Sequence, residues 1–240
     1  MIEINNLSFS FGETLFFNNI NVSFLKNKIN VILGQNGTGK TTLLKLTANL
    51  LKPQQGSINI CDMQAFYLPQ KTSYISGITL YEYLSSIFFK QKFKWILSRN
   101  EKNQINWILD ELEIYEKKDI LTENLSGGEL QKANIALGLL SGANLLLLDE
   151  PVSNLDLVNQ IKVFNIIEKL KQLSVTTIII LHDLNLAARY GDFFAGIDKY
   201  RNIYGSDKEN FFTPEILQKI YNISFSIVKN NGEINVQISK

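Results

Sequence analysis

One run of nine residues carries the clearest chemistry: Gly34-Gln35-Asn36-Gly37-Thr38-Gly39-Lys40-Thr41-Thr42, between the apolar stretch 30–33 and the leucines at 43, 44 and 46. Its first eight residues fit the spacing G-x-x-x-x-G-K-[ST] between a strand and a helix, the context a phosphate loop requires. Glycines let backbone N–H groups converge on phosphate oxygens, and a helix start adds partial positive charge. Lys40 would then reach the β- and γ-phosphates of a nucleotide, and the Thr41 hydroxyl would ligate Mg²⁺. A second unit, Leu145-Leu146-Leu147-Leu148-Asp149-Glu150, is an apolar strand ending in two acids. Asp149 at the carboxyl end of such a strand can hold Mg²⁺ through water, and Glu150 can polarise an attacking water.

Two further features belong with these. Leu125-Ser126-Gly127-Gly128-Glu129 opens a predicted helix, so the Ser126 hydroxyl and the following N–H groups form a second anion site. Two phosphate-binding helix starts in so short a chain are odd for a simple kinase. If Ser126 lies far from Lys40 in one chain, the two sites meet only across a dimer. His182, the single histidine, follows the apolar run 177–181 and is aimed at the γ-phosphate if that run is the strand after the Asp149-Glu150 unit.

Elements that place these residues are read from periodicity. Residues 2–11 and 20–24 read as strands, with a turn at Gly12. Short strands are predicted at 30–33, 65–68, 144–148 and 175–181. Helices are predicted from the phosphate loop to about Leu50, over 79–89 and 103–112, from Glu129 to Leu140, and through Val163, Ile166, Ile167 and Leu170. Strand–helix alternation of this kind favours a parallel sheet covered on both faces. Residues 71–125 change character and read as a helical insertion. Thr213-Pro214-Glu215 starts a capped helix, and Asn230-Asn231-Gly232 joins two alternating runs as a hairpin over about 223–238.

Composition excludes several classes. Of 240 residues, 45% are hydrophobic and 20% charged, which suits a folded chain with a substantial core. The formal charge of +1 supplies no broad basic field for nucleic acid or an anionic bilayer. A lone cysteine, Cys61, excludes an intramolecular disulfide framework and a cysteine-based zinc site, and suits a reducing cytosol. The start, MIEINNLSFSFGE, lacks the basic-then-apolar form of a secretion signal. Apolar runs fall far short of the roughly 20 residues a spanning helix needs.

Taken in order, these motifs resemble those of the ATP-binding-cassette ATPases over nearly the whole chain. In that family's terms Gly34–Thr41 is the Walker A loop and Gln70, in YLPQ, is the Q-loop glutamine. Residues 125–129 are the signature, Asp149 ends Walker B with Glu150 behind it, Ser153-Asn154-Leu155-Asp156 is the D-loop, and His182 is the switch histidine. The resemblance implies that Gln70 touches both Mg²⁺ and the helical insertion, and that Phe11 stacks on adenine, where Tyr is commoner. It also implies that Ser126, Gly127, Gly128, Glu129 and Asp156 complete the nucleotide site. Leu130, Leu137 and Gly138 depart from the usual pattern at positions that are not phosphate ligands.

The stretch His182–Tyr190 and the tail FFTPEILQKIYNISFSIV are similar to those in ATPases of ferric-siderophore, haem and cobalamin importers. The short passage from Gly56 to Gln70 looks more like the compact zinc, manganese and molybdate ATPases. The fold implied is α/β: a P-loop core with a parallel sheet, an N-terminal antiparallel part and a helical insertion, all within one domain. The implied function is ATP hydrolysis for import of a metal ion or metal chelate, on the cytoplasmic face of a membrane. Implied partners are Mg²⁺, ATP, a second copy head-to-tail sharing two ATP, permease subunits at the Q-loop and helical part, and, indirectly, a substrate-binding protein. Nucleic acid is not among them. Aromatics at 74, 81, 83, 88, 89, 93 and 95 divide between subdomain core and a groove for a permease helix. An exporter ATPase is an alternative, because the motifs do not encode direction. A soluble cassette of iron–sulfur assembly would lack HDLNLAARY.

Overall fold

The computed structural model describes residues 1–70, 74–92, 96–230 and 233–239, with backbone alone for 90–92. In chain order the elements are β1 (Ile2–Phe11), β2 (Thr14–Phe24), β3 (Ile29–Gly34), α1 (Lys40–Thr47), β4 (Gln55–Asn59), β5 (Ala65–Leu68), α2 (Leu80–Lys92) and α3 (Arg99–Glu111). Then follow α4 (Gly127–Leu140), β6 (Leu145–Leu148), α5 (Leu157–Gln172), β7 (Thr176–Ile180), α6 (Leu184–Tyr190), β8 (Phe193–Ile197), β9 (Ile203–Asp207), α7 (Lys208–Phe211), α8 (Pro214–Tyr221), β10 (Phe225–Asn230) and β11 (Glu233–Ile238).

The principal sheet has the order β5-β6-β7-β3-β8-β9, parallel except for the antiparallel edge pair β8–β9. Its central strands β3, β6 and β7 are buried throughout and mostly apolar because both faces are covered. Alternation divides them between two cores. Leu145 and Leu147 of β6 join β1 and β2 on one face, whereas Leu146 and Leu148 join α2–α5 on the other. The first face is covered by the antiparallel sheet β2-β1-β4.

Helix ends account for most boundary differences from the sequence reading. Helix α1 stops at Thr47 rather than near Leu50, because Asn49 adopts φ 56° and turns the chain in the left-handed conformation asparagine tolerates. Helix α3 starts at Arg99, not 103, since Ser98 and Glu101 form a reciprocal capping box. Strands β4, β8 and β9 and helices α6 and α7 are not among the sequence-based expectations. Strand β4 is mostly exposed and polar, so it carries little apolar period to read. The aromatics of the helical insertion differ in exposure where they are described. Tyr83 and Phe88 are buried, Tyr81 and Phe89 half-buried, and Tyr74 exposed; Phe93 and Trp95 lie outside the described residues. The 231–232 turn of the predicted hairpin also lies outside them, but β10 and β11 pair from Phe225–Ile238 to Asn230–Glu233.

Candidate nucleotide site

Strands β5, β6, β7 and β3 are consecutive neighbours and run parallel, so their carboxyl ends open on one edge of the sheet. Every residue singled out after a strand is therefore delivered to the same edge, where ligands of open α/β sheets bind. Strand β3 delivers the phosphate loop, β5 Gln70, β6 Asp149 and Glu150, and β7 His182.

The loop's shape depends on two glycines. A Cβ on Gly34, at φ 149°, would lie 2.5 Å from the Ile197 carbonyl oxygen, and one on Gly39, at φ 109°, 2.7 Å from the Phe16 and Phe17 rings. Only glycine fits either place. Lys40 is buried and donates from Nζ to the carbonyls of Gly34 and Gln35, both at 2.9 Å. Burial lowers its pKa, opposed by the charges of Glu150 and Asp149. Not all loop side chains face the cleft. Thr38 is buried and donates to the Gln35 carbonyl, while the Gln35 amide turns away to the carbonyl of Tyr221.

At the end of β6, Asp149 accepts from the Thr41 hydroxyl at 3.1 Å and from the Tyr67 hydroxyl at 3.0 Å. Burial raises the Asp149 pKa, and these two hydrogen bonds pull it back. Its buried carboxylate accepts from two hydroxyls and takes part in none of the described ion pairs. Hard oxygen donors from Thr41 and Asp149, on the rim of a solvent-open phosphate cleft, fit Mg²⁺, which keeps several waters and takes phosphate oxygens. Gln70 donates through its amide nitrogen to Glu150, leaving its carbonyl oxygen as the atom that could reach a cation.

Glu150 sits at φ 50°, a left-handed conformation that costs a non-glycine residue about 1–2 kcal/mol. Gln70 Nε2 and His182 Nε2 each lie 2.6 Å from one oxygen of its carboxylate. Backbone strain of this kind is characteristic of sites held in shape by their surroundings. A carboxylate gripped from both sides beside a phosphate loop can orient a water and accept its proton.

The cleft above the loop, about 520 Å³, is lined by Asn36, Gly37, Gly39, Lys40, Thr41, Thr42, Gln70, Glu150 and His182, with Phe11 and Phe16 at its mouth. The signature residues do not line it. Ser126 and Glu129 instead close a capping box on α4, with the Ser126 N–H donating to Glu129 at 2.9 Å and Lys117 paired to Glu129 at 3.1 Å. Asp156 similarly caps α5 by accepting from the Asn159 N–H at 2.8 Å. Gly127 borders a separate hollow with Ser153, Asn154 and Leu155, which shares Gln70 and Glu150 with the first.

Sequence reasoning missed Tyr67 and Phe16. Tyr67 meets Asp149 only because β5 pairs with β6 in register Leu68–Leu148. The Phe16 ring packs edge-on to Phe11 at 5.2 Å, and the Arg201 guanidinium covers it at 4.1 Å; nothing in the local sequence links positions 16 and 201.

Comparison with known proteins gives the chain its family. The ABC transporter family model matches residues 17–153. The chain belongs to the ABC transporter family. Membership brings its enzyme class with it: this is an ATPase of that family. The iron(3+)-hydroxamate import ATP-binding protein FhuC of Bacillus subtilis is 31% identical over 242 residues, spanning 95% of this chain and 90% of that protein. The zinc import ATP-binding protein ZnuC of Rickettsia bellii is 34% identical over 194 residues, 80% of each chain. A solved metal-chelate type ABC transporter, in an inward-facing conformation, superposes with a TM-score of 0.87 at 25% identity, over 99% of this ABC ATPase and 96% of that chain. Among the described residues no helix is long and apolar enough to cross a membrane.

Proposed function

We propose that this ABC ATPase is the energy-supplying subunit of an importer for a metal chelate, and that it works on the inner face of a membrane. The observation that carries the hydrolytic part is Glu150, held between Gln70 and His182 at 2.6 Å from each, on the rim of the phosphate-loop cleft. Glu150 orients and deprotonates the water, Lys40 neutralises the phosphates, Thr41 and Asp149 hold Mg²⁺, and His182 faces the γ-phosphate. A metal chelate is preferred to a free metal ion because similarity to the hydroxamate importer's ATPase runs over 95% of the chain, against 80% for the zinc importer's.

Signature residues outside the cleft support a head-to-tail pair, in which Ser126 and the N–H groups of α4 close over ATP held by the other copy. The test of cargo and direction is uptake by the chain reconstituted in vesicles with a permease that co-purifies with it. ATP-driven accumulation of a labelled ferric chelate is expected; accumulation of zinc alone, or ATP-driven loss of cargo, would replace this reading.

Two expected results follow from particular residues. Phe16→Ser removes one ring of the aromatic corner at the cleft mouth and should weaken ATP binding roughly tenfold, within the 1–3 kcal/mol typical of base–aromatic stacking. Fluorescent-nucleotide titration measures it, and unchanged affinity would leave Phe16 without a part in base binding. Tyr74 and Ile75, exposed just beyond Gln70, supply apolar area for a docked permease helix. Tyr74→Glu should reduce co-purification with the permease while ATP affinity of the free subunit stays at the parent value. Full assembly of that variant would put the docking surface elsewhere.

A further inference from the structure

The C-terminal segment touches the phosphate loop through Tyr221 and helix α6 through Val236, without lining the cleft. Helix α8 is capped by Thr213, whose hydroxyl accepts from the Ile216 N–H at 3.3 Å, and ends where Asn222 turns the chain at φ 58°. Its last residue, Tyr221, offers its carbonyl to the Gln35 amide of the phosphate loop. From there the hairpin β10–β11 packs Phe225, Ile234 and Val236 into the helix-side core.

The polar tie between the hairpin and α6 is Asn185, in the first turn of that helix. Its Oδ1 accepts from the Val236 N–H at 2.8 Å, and its Nδ2 donates to the Val236 carbonyl at 3.3 Å. Both outward main-chain groups of one β11 residue are thus bound by a single side-chain amide, which stands where another strand would pair. An isolated two-stranded hairpin is marginally stable, so such a tie matters to both partners. His182 lies three residues before Asn185. On one side the Leu181 N–H donates to the Ile32 carbonyl of β3 at 3.3 Å. On the other, Asp183 caps α6 by accepting from the N–H groups of Asn185 at 2.8 Å and Leu186 at 2.9 Å. The imidazole is therefore suspended between a sheet strand and a helical turn, and Asn185 fastens that turn to the hairpin.

We propose that Asn185 is a positioning residue for His182: by locking the first turn of α6 to β11 it keeps the imidazole within hydrogen-bond distance of Glu150. This rests on the role proposed above for His182. Small displacements of groups around a reacting centre can cost as much as about 10²-fold in rate. Asn185 is exposed, so removing its amide does not open the core.

Steady-state Mg-ATP hydrolysis by the purified full chain tests it, with Asn185→Ala, Asn185→Asp, His182→Ala and the double variant Asn185→Ala/His182→Ala. Asn185→Ala should lower kcat about tenfold with KM for ATP within about twofold, the pattern of a lost transition-state interaction rather than lost binding. Asn185→Asp, which keeps the acceptor of the shorter bond, should recover part of the loss. In the His182→Ala background the Asn185→Ala change should cost less than about twofold, because coupled residues are non-additive. An equal loss in both backgrounds, an unchanged kcat, or a rise in KM alone overturns the positioning role while leaving His182 in place. Parental kcat in His182→Ala instead removes the role of His182, and the inference with it.

Discussion

Glu150→Gln should bind Mg-ATP as the parent does and hydrolyse it at least about 100-fold more slowly, the lower bound for a lost general base. The amide keeps the size of the carboxylate and can still pair with Gln70 and His182, which hold the parent side chain at 2.6 Å. What it loses is the ability to take a proton from water. Because the γ-phosphate persists, two copies should stay closed over the trapped nucleotide, and size-exclusion chromatography with ATP should show a dimer that the parent shows only transiently. Glu150 carries an unusual φ of 50°, which glutamine tolerates no better and no worse, so melting temperature should hardly move. Hydrolysis at the parental rate would take Glu150 out of the reaction.

Paired with it is a complementation experiment. Lys40→Ala removes the buried cation whose Nζ is held 2.9 Å from two loop carbonyls, and turnover should fall about 10²–10³-fold, as for loss of a preorganised charge-stabilising donor. Ser126→Arg should abolish turnover to a similar extent by another route. Ser126 caps α4 outside the cleft, so its replacement leaves the chain's own phosphate loop intact and ATP binding to the isolated subunit nearly unchanged. In the proposed head-to-tail pair, a bulky charge at that helix start should block the partner's γ-phosphate instead. Mixing the two inactive chains should therefore restore activity: random pairing makes about half the dimers mixed, each with one intact composite site, so about one quarter of parental turnover returns. Heterodimers that form and remain inactive would refute the shared site.

Much of this candidate site is legible in the amino-acid sequence alone, and the reason is local. The phosphate loop, the Asp149-Glu150 pair and the LSGGE helix start are contiguous, and each draws its chemistry from backbone geometry its own residues impose. Gly34 and Gly39 are glycine because no Cβ fits. The four apolar runs that precede Gly34, Gln70, Asp149 and His182 read as buried parallel strands, and buried parallel strands present their carboxyl ends together. Family resemblance then assigned Gln70, Phe11 and Asp156, which spacing alone did not.

Tertiary structure decided what depends on register and on contact between distant segments. Tyr67 reaches Asp149 because β5 lies beside β6 in one register, and a shift by one residue would point its hydroxyl to the other face. Arg201 covers Phe16, Tyr221 holds Gln35, and Asn185 closes the edge of β11, across separations of 185, 186 and 51 residues that no periodicity encodes. The antiparallel strands β4 and β9 escaped notice because neither is fully buried, so their pattern was left to the neighbours they pair with. Sequence determined which groups could do the chemistry; only folding determined which other groups hold them still, because those partners are chosen by proximity rather than by order along the chain.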